Sequence, residues 1–137
     1  MFFKQISVFL ENKTGRLAEI TGVLADNGID IKALSIADTN DFGILRLIVD
    51  KPAEALTALT ASGFRVRETP VVGLSLEHKP GGLHRVLKLM EKNNIFIEYI
   101  YDFLSAGTSE TATIVAKLEN QDEAVAKMRK LEIKFSD

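Results

Sequence analysis

Cysteine is missing altogether, so no disulfide scaffold, thiolate metal site or cysteine nucleophile can be built. Long apolar runs are missing too: nothing approaches the ~20 residues needed to span a bilayer. The opening stretch Met1-Phe2-Phe3-Lys4-Gln5 lacks the apolar centre of a signal peptide. The expectation is a soluble, cytoplasmic protein with no membrane partner. Neither sign of charge dominates. The 17 Lys and Arg stand against 19 Asp and Glu, a net charge of -2. No bulk field therefore draws the chain to nucleic acid or anionic lipid.

Signatures of catalysis are also absent. There is no phosphate loop, no GxGxxG after a strand and no GxSxG. The two histidines, His78 and His84, lie six apart and share no helix face. Asp38, Asp41, Asp122 and Glu123 fall in turns and helix starts, where solvation and capping account for them. The expectation is a protein that is not an enzyme, with no cofactor and no metal site.

What is present is a repeat. The 137 residues, 46% hydrophobic and 26% charged, suffice for one ordinary domain or two small ones. Leu10, Glu11, Lys13, Gly15 and Leu17 recur 66 positions later as Leu76, Glu77, Lys79, Gly81 and Leu83. Asn27, Ile29 and Ile31 meet Asn93, Ile95 and Ile97 in the same register. After residue 110 the offset becomes 69, so Glu54-Ala55 meets Glu123-Ala124. The second copy thus carries three extra residues, which the reading places in Ser105-Ala106-Gly107-Thr108-Ser109-Glu110. Such a period is too long for a solenoid and suits two duplicated domains, residues 1–69 and 70–137. Only Thr69 and Pro70 separate the copies' strands, too few for a flexible linker.

Each copy reads as strand, helix, strand, strand, helix, strand. Residues 4–10 are rich in Ile, Val and Phe, as a strand is. Leu17, Ile20, Val23 and Leu24 recur at helical spacing, with Thr14 as the expected N-cap and Asn27-Gly28 as the stop. Ile31 to Ala37 and Ile44 to Val49 read as strands around a turn from Asp38 to Phe42. Pro52 opens the next helix and Ser62-Gly63 ends it. In the second copy Leu83, Val86, Leu87 and Met90 form the helical stripe, and Ile95–Leu104 and Thr111–Leu118 read as strands. Asn120 with Glu123 has the form of a capping box, followed by Ala124, Val125, Met128 and Leu131. Strand-helix-strand twice, with right-handed crossovers, is a ferredoxin-like unit. The fold class expected is α+β: two βαββαβ domains in tandem, each an antiparallel sheet with helices on one face.

The loop from first strand into first helix stands out in both copies. It reads Glu11-Asn12-Lys13-Thr14-Gly15-Arg16-Leu17 and Glu77-His78-Lys79-Pro80-Gly81-Gly82-Leu83. A helix start offers free N–H groups and a partial positive charge, which suit a carboxylate. Gly15 and Gly81 let another group approach the backbone. Asn12 presents polar atoms that can bond an ammonium. Asp30, at the start of the next strand, is read as lying near the same end of the fold, where it would neutralise an amine. Together these suit a free amino acid. The competing reading is that Gly15 simply makes a tight turn and Asn12 bonds its own backbone.

A βαββαβ unit carrying Glu-Asn-Lys-Thr-Gly-Arg-Leu and then Asn-Gly-Ile-Asp-Ile resembles an ACT domain. The match recurs in Glu-His-Lys-Pro-Gly-Gly-Leu and Asn-Asn-Ile-Phe-Ile, so the resemblance is to small stand-alone tandem ACT proteins. It implies allosteric sensing of amino acids at an interface between two such domains. The ligand-binding set implied is Asn12, Lys13, Thr14, Gly15, Arg16, Leu17, Asp30 and Ile31, with His78, Gly81, Gly82 and Leu83 in the second copy. Phe96 stands where Asp30 does in the first copy, and Phe cannot accept a bond from an ammonium.

Tyr99, Tyr101 and Phe103 alternate along a strand that the fold places at an edge. Exposed edges invite pairing, so the expectation is a homodimer through strand edges that covers these aromatics. The leading functional reading is a non-catalytic module sensing a small ligand, most simply an amino acid. The alternative is a ligand-free interaction or regulatory subunit of an amino-acid metabolic enzyme. RNA binding fits poorly, because Ile44-Leu45-Arg46-Leu47-Ile48-Val49 offers no stacking aromatic on a central strand.

Overall fold

The computed structural model describes residues 2–11, 13–38, 41–103 and 110–136. The elements in chain order are β1 (Phe2–Glu11), α1 (Arg16–Asp26), β2 (Ile31–Asp38), β3 (Phe42–Val49), α2 (Pro52–Ala61) and β4 (Arg65–Glu77). They continue with α3 (Gly82–Lys92), β5 (Ile97–Asp102), β6 (Thr111–Leu118), α4 (Gln121–Met128) and β7 (Lys134–Phe135). The chain divides into two compact units, Lys4–Thr69 and a second made of residues 1–3 and 70–137.

In the first unit the sheet runs β2-β3-β1-β4. Ile6 faces Leu47 and Val8 faces Leu45 across the antiparallel β1–β3 pair, and Leu34 and Ile36 face the same two residues from β2. One strand face therefore gathers Ile6, Val8, Leu45 and Leu47, because side chains two apart share a face. Ile20 and Leu24 of α1 and Ala55 and Leu59 of α2, each pair four apart, close over it as a buried core. On the other face Gln5, fully buried, donates from Nε2 to the Ser7 hydroxyl at 3.3 Å.

The second unit repeats this order as β5-β6-β4-β7. Leu74 faces Ile114 on one side and Phe135 on the other. Val86 and Met90 of α3 and Val125 and Met128 of α4 pack onto Leu74, Ile114 and Leu118. Both units are ferredoxin-like α+β folds with helices on one sheet face.

Helix ends explain much of the sequence punctuation. After α1, Gly28 (φ 66) takes the left-handed position and the Ile29 N–H donates to the Leu24 carbonyl at 2.9 Å. After α3, Asn94 (φ 56) does the same without glycine, and the Ile95 N–H reaches the Met90 carbonyl at 3.0 Å. Pro52 sits in the first turn of α2, as its fixed φ favours.

Several local expectations differ from the structure. Thr14 does not cap α1: the N-cap is Gly15, and no side chain caps the helix. Asn120 and Glu123 form no capping box, since Asn120 is itself left-handed (φ 49) and makes no side-chain cap bond. The Gln121 amide takes over locally, accepting from the Leu118 N–H and donating to the Pro70 carbonyl at 2.9 Å. Phe42 belongs to β3 rather than to the turn, and Leu131 lies beyond the end of α4. β5 is shorter than read, ending at Asp102. Of residues 105–110, where the extra residues were expected, 105–109 lie outside the described residues.

Candidate ligand site at the strand-helix loops

The two loops are built alike. Gly15 (φ 90, ψ -10) and Gly81 (φ 86, ψ -8) form the N-caps of α1 and α3, both left-handed and without a side-chain cap bond. The left-handed turn lets the chain reverse from strand to helix within a few residues. In the first loop the Arg16 N–H donates to the Lys13 carbonyl at 3.2 Å and the Glu19 N–H to the Gly15 carbonyl at 2.9 Å. By the geometry of a helix start, the intervening first-turn amides have no partner within the helix.

An ion pair brackets each loop. Lys13 Nζ lies 2.8 Å from Glu11 Oε2, and Lys79 Nζ lies 2.7 Å from Glu77 Oε2. The lysine's hydrogen bond, then its charge, holds each carboxyl below its usual value. The repeat showed both residues; the pairs form where the chain leaves each strand, at Glu11 and at Glu77.

The second loop lines a cavity of about 320 Å³. His78, Lys79 and Leu83 come from the loop and helix start, Asp102 from the end of β5 and Phe103 from just beyond it. The His78 N–H is fixed by the Glu110 carbonyl at 2.8 Å. Gly82 is buried hard against the end of β4, where a Cβ would run into the Glu77 carbonyl oxygen. Asp102 was missed in the sequence, although it follows the buried Tyr101 and so had to face the other way. The cavity places an acid, a base and an apolar wall beside a helix start.

The remaining expected residues fall as follows. Lys13 and Thr14 are exposed, Arg16 pairs with Glu19 at 3.1 Å, and Leu17 is exposed in the first turn. Asn12 lies outside the described residues. Asp30 is not at the loop's end of its unit. Leu10 and Asp38 both sit opposite Gly43, whereas the Asp30 N–H donates to the Asp50 carboxylate at the other end of β2. Eight residues of strand separate Asp30 from Asp38, roughly 26 Å. The reason is the crossover: α1 carries the chain back down the sheet before β2 begins. Ile31, beside it, packs against the helix-side core. Asp30 is bonded to Lys32 at 2.9 Å, and that hydrogen bond lowers its pKa first, then the lysine charge.

The edge aromatics also differ from expectation. Tyr99 and Tyr101 stack with ring centroids 6.4 Å apart, and Phe103 packs on Phe3 at 5.2 Å. Tyr101 is buried within the single chain, so no second copy is needed to cover it. Among the described residues no cluster of His, Asp and Glu is arranged to hold a metal ion, and no helix is long and apolar enough to cross a membrane.

Residues 1–135 match the family model of an ACT domain pair. The crystal structure of protein BT0572 from Bacteroides thetaiotaomicron is 40% identical with a TM-score of 0.90, covering 99% of this chain and 92% of that one. The ligand-free regulatory subunit of aspartate kinase from Thermus thermophilus is 18% identical with a TM-score of 0.68, covering 93% and 91%. Its counterpart from Thermus flavus is 17% identical with a TM-score of 0.61, covering 94% and 92%. At such identities the likeness to the kinase subunits is one of fold. No curated protein matches the chain. The matched residues span both units, and with them the chain belongs to the ACT domain family, as an ACT domain pair.

Proposed function

We propose that this protein is a non-catalytic regulatory module that binds a free amino acid at its strand-helix loops and acts as an allosteric sensor. The observation that carries the reading is the 320 Å³ cavity beside the second loop. Its volume suits a small ligand. Asp102 suits an ammonium, the uncapped start of α3 suits a carboxylate, and Leu83 and Phe103 suit an apolar side chain. His78, Gly81 and Gly82 complete that loop. Two charge-assisted contacts of roughly 1.5–3 kcal/mol each, plus modest apolar burial, correspond to a Kd of about micromolar to millimolar.

The first loop, with Asn12, Lys13, Thr14, Gly15, Arg16 and Leu17, is proposed as the related site. Asp30 and Ile31 would reach it only from a second copy of the chain. Antiparallel pairing of two β2 edges brings the start of one strand against the end of the other, which supports a homodimer through strand edges. A cytoplasmic location and a metabolic enzyme as the regulated partner accord with this role.

Calorimetry and thermal shift across the twenty amino acids test the proposal. The expected result is a response to one or a few of them that is lost in Asp102→Asn, Asn12→Ala or both. Silence across the panel would remove the sensor reading and leave the ligand-free interaction subunit in its place.

A further inference from the structure

The helix-free face of the first sheet holds a larger recess, of about 770 Å³. Phe9, Ala37, Phe42 and Ile44 supply its apolar surface, and Arg65 and Arg67 of β4 line it. Val66, between the two arginines, packs against the helix-side core. The arginines therefore project from the opposite face, their Cα atoms roughly 7 Å apart along the strand. The Arg65 guanidinium lies over the Phe9 ring, 6.0 Å from its centroid. This places one cation at the outer limit of a cation–π contact with the ring. Among the described residues the one acid lining the recess, Glu11, is already engaged by Lys13. Among the described residues neither arginine has a carboxylate partner.

The duplication provides an internal control. At the positions of Phe9, Ile44, Arg65 and Arg67 the second copy carries Ser75, Thr113, Lys134 and Ser136. There Thr113 and Ser136 lie 3.5 Å apart, oxygen to oxygen. The fold is thus built in the second unit with small polar groups at three of these four positions. The aromatic floor and the arginine pair are not requirements of the scaffold.

We infer that this recess is a second binding site, for an organic anion with an aromatic or apolar body. The anionic group is received by Arg65 and Arg67, and the body lies along Phe9, Ile44 and Phe42. Phe42, 61% exposed, is then covered by the bound body. Two guanidinium donors suit a carboxylate, which accepts two parallel bonds. This site is independent of the loop site, since it uses neither Asn12 nor Asp102.

The test is titration of the ¹⁵N-labelled full chain with 3-phenylpropionate and with its neutral isostere 3-phenylpropanamide, followed by amide shifts. The expected result is saturable binding of the acid, with shifts centred on Gly43 and Val66, at least about tenfold tighter than the amide. The Arg65→Gln, Arg67→Gln double variant should abolish that difference, while Lys134→Gln should preserve it. Equal affinity of acid and amide for the unaltered chain would overturn the inference without relying on any variant. So would a preference for the acid that survives in a double variant shown by circular dichroism to be folded.

Discussion

Gly15 and Gly81 hold nearly the same backbone geometry, φ 90 with ψ -10 and φ 86 with ψ -8, at the same point of the two units. Neither would meet another atom with an added Cβ, so the left-handed turn alone explains both glycines. Gly15→Ala and Gly81→Ala should therefore each cost about 1–2 kcal/mol from backbone strain. Urea denaturation of the two variants checks this, and the two losses should be similar.

Gly82 is constrained differently. Its Cβ would meet the Glu77 backbone, which cannot swing aside as a side chain can. Gly82→Ala should cost about 1–3 kcal/mol through forced displacement. The position of Gly82 in the first copy is Arg16, so Arg16→Ala should be nearly neutral in the same denaturation experiment.

The two cores should each be intolerant of truncation. Leu47 in the first unit and Leu118 in the second are fully buried. Leu47→Ala and Leu118→Ala should each lose about 2–5 kcal/mol, the lost transfer energy plus that of the cavity left behind. Thermal unfolding followed by circular dichroism would show the loss as a lowered Tm.

Acid should weaken the loop ion pairs. Glu11 and Glu77 titrate below their usual 4.5 in the folded chain because Lys13 and Lys79 hydrogen-bond them and add their charge. A depressed folded pKa adds stability that is fully present above the unfolded value and is lost as pH falls through the folded one. The Tm contribution should be flat from about pH 8 to about pH 5 and fall below about pH 4.5. Lys13→Gln with Lys79→Gln should reduce that acid sensitivity. Both pairs are solvent-exposed, so added salt should shrink the effect.

The proposed strand-edge dimer predicts a mass of two chains in light scattering at high protein concentration, falling on dilution. Ile36 on β2 is 44% exposed. Ile36→Lys should shift the balance toward the monomer, since a charge on an edge strand opposes pairing. A mass of one chain at every concentration would remove the dimer.

The sequence by itself determined the element order, the duplication and the glycine turns, because hydrophobic period and left-handed stops act over a few residues. The spacing of Ile20 and Leu24 or the Asn27-Gly28 stop can be seen without knowing where the chain goes next. The two matching strand-helix loops were legible for the same reason. What the sequence left open was which loop neighbours would meet. Asp30 seemed to belong with Asn12, yet the direction of α1 puts it at the far end of β2. Thr14 had the chemistry of a cap, but a left-handed Gly15 took the position. Asp102 and His78 on one cavity, and Arg65 over Phe9, join residues far apart in the chain. Only strand pairing and the return of each crossover brought them together, since both depend on how the whole sheet is ordered.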